Sequence, residues 1–280
     1  MRWDWLFAAT LFGSALGAAP ATAQAPHAIP APVRGLHERA AQSDVVALAV
    51  VESVADGRIA VASRAVLRGE APLRFVLKRS PLRPPPLAAG DRALLFLRGD
   101  RAPFLLVDEP DELVRIASDE DEASWRAEIP ALLAAGSDLA AVARVYARWI
   151  DAGAGPLREA AALSFMSAIQ ARPELAIERA EAALAPGRPS EVRRIHAALA
   201  AQSAPGAHHL VERLAGDASL DDPVVVEIAL RAAVSWRAPK AEALVARVLA
   251  SKNPALRELA EHLGRRVAAR PTPQAAPLHN

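Results

Sequence analysis

The sequence predicts an α+β multidomain protein, in which a small five-stranded β-barrel is followed by an α-solenoid of helix pairs. Between residues 44 and 107, short β-branched and apolar runs are separated by turn residues, as is typical of strands. After residue 124, apolar residues recur at helical spacing, and the whole pattern repeats about every 34 residues. This change of period predicts a boundary near residue 108.

Composition limits the chemistry of the chain. The 280 residues include no cysteine, which excludes disulfides, thiolate metal sites and cysteine nucleophiles. The formal net charge of +1 argues against nucleic-acid binding by bulk charge. A hydrophobic content of 52% is enough for one or two ordinary cores.

The N-terminus has the pattern of a signal peptide. Arg2 precedes an apolar stretch from Trp5 to Gly17, and Ala21-Thr22-Ala23 matches the small residues of a signal-peptidase site. We therefore expect residues 1–23 to be removed and the mature protein to be periplasmic or secreted. An uncleaved N-terminal anchor is the alternative. No later stretch is long and apolar enough to predict an integral membrane segment.

Residues 26–107 are predicted to form the β-barrel. Two long strands flank the hairpin signal Asp56-Gly57, so we expect them to be antiparallel neighbours. Three shorter runs, separated by the Pro-rich stretch Ser80–Pro86 and by Gly-Asp turns, are predicted to be the other strands: Leu73–Lys78, Arg92–Leu97 and Phe104–Val107.

Three short motifs of this region resemble the netrin-like modules, an OB-fold family that includes the tissue inhibitors of metalloproteinases. The motifs are Ser43–Val46, Ala65–Gly69 and Gly90–Arg92. The resemblance implies an OB-like barrel. Those inhibitors use an N-terminal cysteine as a zinc ligand, which this chain lacks, so the resemblance does not imply inhibition by that chemistry.

Residues 108–123 form an acidic segment, predicted to be a linker. Residues 108–122 contain eight carboxylates and one cation, whereas residues 27–107 contain twelve cations and seven acids. The carboxylates could hold calcium, although they lack the ligand spacing and central glycine of an EF-hand. The other interpretation is a solvated linker that lies against the basic barrel and leads into a helix.

Residues 124–269 are predicted to be helical repeats. Prolines begin successive apolar-periodic segments at Pro156, Pro189, Pro223 and Pro254, and Asp222 and Asn253 are expected N-caps. A second series places an arginine two residues after an aliphatic position in each repeat. The arginines are Arg144, Arg179, Arg213 and Arg247.

The segments 222–236 and 253–267 resemble HEAT-like repeats, which implies an α-solenoid with an extended binding surface. The tail at residues 270–280, which contains three prolines, is predicted to be disordered.

The sequence offers no recognisable catalytic site. None of the seven histidines lies in an HExxH motif, and no nucleophile elbow, P-loop or GxGxxG fingerprint occurs. We therefore predict no catalytic residue, no metal and no cofactor. The aromatic residues Trp125, Tyr146, Trp149 and Trp236 could line a groove, but their helical spacing favours packing between repeats.

Two classes of function remain. The leading hypothesis is an exported, non-enzymatic binding or scaffold protein whose helical surface engages a protein or an anionic envelope polymer. The alternative is an enzyme or enzyme inhibitor whose site cannot be recognised from one sequence. The four repeat arginines are the candidate partner-binding residues; their structural interpretation is pairing with nearby carboxylates such as Glu178 or Glu212.

Overall fold

A computed structural model of the chain describes residues 34–55, 58–78, 87–108, 113–153, 155–216 and 222–268. The predicted signal peptide, the Asp56-Gly57 turn, most of the Pro-rich segment and the predicted disordered tail lie outside these residues.

Five strands close into a barrel, which confirms the predicted α+β class with a barrel followed by helices. The strands run in the order β1-β2-β3-β5-β4, and β4 pairs back onto β1. The β3–β5 pair is parallel and the other pairs are antiparallel, which is an OB-like arrangement. The strands are β1 Val45–Ala55, β2 Arg58–Arg68, β3 Arg74–Lys78, β4 Arg92–Arg98 and β5 Phe104–Leu106.

Alternating side chains of these strands fill the barrel. Val45, Ala47, Ala49 and Val51 of β1 point inwards and are 3% exposed or less. Phe75 and Phe104 meet edge to face inside, with their ring centroids 5.2 Å apart. Val46 and Leu48, on the other face of β1, are also fully buried, so this part of the strand is covered on both faces.

Four helices accompany the barrel in one compact unit, residues 30–172. They are α1 Leu36–Ala41, α2 Asp119–Ala135, α3 Leu139–Ala152 and α4 Gly155–Ala171. Trp125 of α2 and Tyr146 and Trp149 of α3 are almost completely buried. Their rings pack edge to face, Trp149 lying 6.1 Å from Trp125 and 5.8 Å from Tyr146. For these three aromatics the packing interpretation therefore describes the structure.

The segment predicted to be a linker lies inside this compact unit. Its short strand β6, Val114–Arg115, pairs with β4. Asp108 is buried, and its carboxylate forms a 2.9 Å ion pair with Arg39 of α1. At the other end, Glu122 of α2 binds Arg64 of β2. These contacts attach the described parts of the acidic segment to the basic barrel, and the units divide instead between Arg172 and Pro173.

The second compact unit includes the helices that follow residue 172. They are α5 Leu175–Ala183, α6 Ser190–Ala201, α7 Ala204–Ala215, α8 Pro223–Ser235, α9 Ala241–Leu249 and α10 Pro254–Ala268. Helices α5, α7 and α9 contact one another in succession, as do α6, α8 and α10. The unit thus has two layers of helices, and each hairpin contributes one helix to each layer.

The predicted N-caps are confirmed at two helices. The Asp222 carboxylate accepts the N–H groups of Val224 and Val225, and the Asn253 side chain accepts those of Ala255 and Leu256. Pro223 and Pro254 are the first residues of α8 and α10, where a missing N–H costs no helical hydrogen bond.

Among the described residues, no helix combines the length and the apolar composition needed to cross a membrane.

Candidate functional site

Three of the four repeat arginines lie on successive helices of one layer. Arg179 is on α5, Arg213 on α7 and Arg247 on α9, and each follows a buried stripe residue of its helix by three positions. Because α7 contacts both α5 and α9, the arginines recur once per helix, at a spacing of about 10 Å. Arg144 is exposed on α3 and belongs to the first compact unit.

The surroundings of the three arginines differ. The Arg179 guanidinium pairs with the neighbouring Glu178 carboxylate at 3.2 Å, and its side chain is 17% exposed. Arg213 is exposed beside Glu212, and Arg247 is half-buried. The pairing of Arg179 is of the kind that the structural interpretation predicts. Exposed Arg213 keeps its guanidinium available for a bidentate contact with a carboxylate or phosphate.

The adjacent histidines His208 and His209 have separate partners. His208 donates from Nε2 to the Trp236 carbonyl at 3.0 Å, whereas Nε2 of the adjacent His209 lies 3.3 Å from a Glu181 carboxylate oxygen. The two rings therefore engage different helices, as expected for neighbours on a helix. Among the described residues, no cluster of histidine and carboxylate side chains could hold a metal ion.

A buried polar cluster joins α1 to α3 and α4. The Ser164 hydroxyl accepts the Leu36 N–H at 3.1 Å, and the Tyr146 hydroxyl accepts the His37 N–H at 2.9 Å. These two donors belong to the first turn of α1, where a helix has no internal acceptor for them. Side chains more than a hundred residues away therefore cap this six-residue helix.

Burial determines the ionisation of this cluster. It lowers the pKa of His37 below its ordinary value, although the Glu38 carboxylate acts in the opposite direction. It also raises the pKa of Tyr146, so the phenol remains protonated at neutral pH. Tyr146 is fully enclosed and bonded to α1, which gives the cluster a structural role.

A second buried carboxylate connects two helices of the second unit. Besides capping α8, Asp222 accepts a 2.5 Å hydrogen bond from the Ser190 hydroxyl and a 3.3 Å bond from Arg194 Nε. Burial acts to raise the pKa of Asp222, but the bonds from Ser190 and the Val225 amide and the charge of Arg194 outweigh it and lower that pKa. The carboxylate therefore stays ionised and holds the first turn of α6 against α8.

The barrel has a comparable ionic contact with α2. Glu122 is 4% exposed and binds Arg64 of β2 at 2.8 Å and Arg126 of its own helix at 2.9 Å. Asp119 pairs with Arg92 of β4. Cations of the barrel are thus neutralised by the acidic first turn of α2.

One candidate that sequence reasoning missed is the turn between α8 and α9. Trp236 was interpreted as a packing residue, yet it is 38% exposed. The next positions include Arg237 and Lys240, both exposed and both at positive φ, 49° and 58°. A tryptophan that follows an apolar stripe and precedes two cations could have signalled a helix end with a projecting ring.

No protein-family model matches this chain, and no curated protein and no solved structure matches it either.

Proposed function

We propose that the chain is an exported, non-enzymatic binding or scaffold protein whose helical-repeat surface engages a protein or an anionic envelope polymer. The observation that carries this proposal is the arginine series Arg179, Arg213 and Arg247 on three helices that contact in succession. A repeated cation at fixed spacing matches a partner whose negative charges also repeat.

The helix arrangement supports a HEAT-like solenoid as the scaffold. Each hairpin of the second unit contributes one helix to the α5, α7, α9 layer and one to the α6, α8, α10 layer. Stacked pairs of this kind expose the outer side of each layer as an extended surface, which solenoid proteins use for binding. The buried carboxylate of Asp222 holds two helices of this unit together, whereas Arg213 is exposed on the α5, α7, α9 layer.

Export is part of the proposal and depends on the N-terminal sequence. The small-residue pattern Ala21-Thr22-Ala23 after the apolar stretch supports cleavage after Ala23. N-terminal sequencing of protein from the extracytoplasmic fraction should find Gln24 first. Intact Met1 on protein recovered from the cytosol would contradict this.

The binding role is tested with the double variant Arg179→Gln/Arg213→Gln. A role in binding predicts an unchanged melting temperature, with weaker and less salt-sensitive capture of partners from an envelope extract. The matched control, Lys252→Gln/Arg257→Gln, removes the same charge from exposed positions outside the arginine layer and should capture normally. A lower melting temperature with normal capture would assign the arginines to the structure instead.

A further inference from the structure

We infer that the turn between α8 and α9 is a binding site for an acidic sugar unit of an anionic polysaccharide. The site consists of the exposed face of Trp236 and the cations Arg237 and Lys240. It rests on the proposed function in that the partner is anionic, and its residues are not those of the arginine series.

Trp236 is anchored through its ring and through its backbone. The only polar atom of the ring, Nε1, donates a 2.7 Å hydrogen bond to the Ala201 carbonyl at the end of α6. The backbone carbonyl of Trp236 accepts a 3.0 Å bond from His208 Nε2 of α7. The indole is thus fixed to α6 and the main chain of the turn to α7, while 38% of the residue remains exposed. With its N–H already used, the ring offers a ligand only its apolar, electron-rich face.

The backbone of the turn carries unusual strain. Arg237 and Lys240 adopt the left-handed region, which is uncommon for residues other than glycine, asparagine and aspartate. The buried Ala238 between them fixes the turn, since its N–H donates to the Ala233 carbonyl at 3.1 Å. A lysine and an arginine kept at strained positions point to a use for their side chains, because strain of this kind concentrates at ligand sites.

The charges of the turn have no carboxylate partner within the described part of the chain. Neither Arg237 nor Lys240 is paired with a carboxylate among the residues that the structure describes. The nearest carboxylate along the chain is that of Glu242, which is exposed in the first turn of α9. Two exposed cations within four residues of an exposed tryptophan match a sugar that presents a C–H face to the indole and a carboxylate to the cations.

Two other classes of ligand fit less well. Single-stranded nucleic acids stack successive bases on several aromatic rings, and Trp236 is the only aromatic residue among the exposed large apolar residues of the described chain. A stable protein interface buries about 800 Å² on each partner, far more than one half-exposed indole offers.

The probe for a binding test is polygalacturonate, which carries one carboxylate per sugar. In the mature protein beginning at Gln24, which lacks Trp3 and Trp5, the other two tryptophans, Trp125 and Trp149, are 1% exposed, so a change of tryptophan emission on binding should come from Trp236. We expect saturable binding whose dissociation constant rises about tenfold in Trp236→Ala and severalfold in Arg237→Gln/Lys240→Gln. Methyl-esterified polygalacturonate, which lacks the charge, should bind more weakly, and Glu242→Gln should bind more tightly.

Stability measurements separate this site from a structural turn. Replacing Arg237 or Lys240 by glycine relieves the backbone strain of the positive φ, so the melting temperature should rise. The affinity for polygalacturonate should fall, because the same change removes a cation. The control pair Lys252→Gln/Arg257→Gln, which removes the same charge elsewhere, should leave the affinity unchanged.

The inference would be overturned if polygalacturonate showed no saturable binding, or if the Arg237→Gln/Lys240→Gln variant bound it as tightly as the wild type. Tighter binding of a single-stranded oligonucleotide than of polygalacturonate would also overturn it. So would a loss of polygalacturonate binding that occurs only in Arg179→Gln/Arg213→Gln. The last result would leave the proposed function intact and move the ligand to the arginine layer. Conversely, normal envelope capture by Arg179→Gln/Arg213→Gln, with polygalacturonate binding lost at Trp236→Ala, would reject the arginine series but keep this site.

Discussion

At the scale of single residues, His37 links stability to pH. The residue is 8% exposed, and its Nδ1 lies 3.1 Å from the Tyr146 hydroxyl. Burial lowers the pKa of His37 in the folded protein below the ordinary 6.5, so the unfolded chain binds the proton more tightly. The stability that the neutral ring provides is therefore present above pH 6.5 and is lost as the pH falls towards the lowered pKa.

We expect the free energy of unfolding to decrease as the pH falls below about 6.5, and His37→Asn to reduce this dependence because it removes the titrating ring. Urea unfolding at a series of pH values measures the effect. His208→Asn, which changes a partly exposed histidine, is the control. Identical pH dependence in the wild type and in His37→Asn would show that the ring does not titrate in this way.

Asp222 provides a second prediction at this scale. Removing its carboxylate deletes a helix cap and three contacts with α6, to Ser190, Arg193 and Arg194, whereas Asn253 is a cap without contacts of that kind among the described residues. We expect Asp222→Ala to destabilise the protein by about 2 kcal/mol and Asn253→Ala by about 1 kcal/mol. Denaturant unfolding compares the two. Equal losses would mean that Asp222 acts only as a cap.

At the scale of elements, α1 depends on hydroxyl groups supplied by α3 and α4. Tyr146→Phe removes the acceptor of the His37 N–H while keeping the ring, so a buried donor loses its partner at a cost of about 1–3 kcal/mol. Hydrogen exchange should accelerate at the amides of α1 and remain unchanged in α6, α8 and α10. Uniform acceleration throughout the protein would indicate that the hydroxyl contributes to global stability alone.

Several elements could be predicted from the sequence, whereas the contacts between distant elements could not. The five strands and the N-caps Asp222 and Asn253 could be predicted because each has a local signal, a period of two or a polar residue before a proline. The contacts of Tyr146 with His37 and of Glu122 with Arg64 could not be predicted, because each joins residues far apart in sequence. The charge of the acidic segment indicated a linker that lies against the basic barrel, but it did not indicate the individual pairs, such as Glu122 with Arg64.

For the candidate sites, too, local patterns could be predicted from the sequence and contacts between distant residues could not. The repeat of about 34 residues made the register of Arg179, Arg213 and Arg247 visible in the sequence. The exposure of Trp236 was not visible, because it depends on where the end of α8 lies relative to Ala201 of α6.

At the scale of the whole molecule, the division of the chain can be tested by expressing fragments. Residues 26–112 and 123–280 correspond to the boundary predicted from sequence, and residues 30–172 and 173–280 to the two compact units. The first cut separates His37 from Tyr146 and Arg64 from Glu122, so we expect those fragments to melt less cooperatively than the second pair. Circular dichroism melts provide the comparison. Cooperative folding of residues 26–112 alone would restore the boundary near residue 108.

We propose that the layer formed by α5, α7 and α9 binds the partner. The most direct test is hydrogen–deuterium exchange of the mature protein, with and without a partner purified from the envelope extract. We predict slower exchange confined to this layer and the adjoining α8–α9 turn, and its loss in Arg179→Gln/Arg213→Gln. Slower exchange confined to the barrel strands, with the helices unchanged, would contradict it.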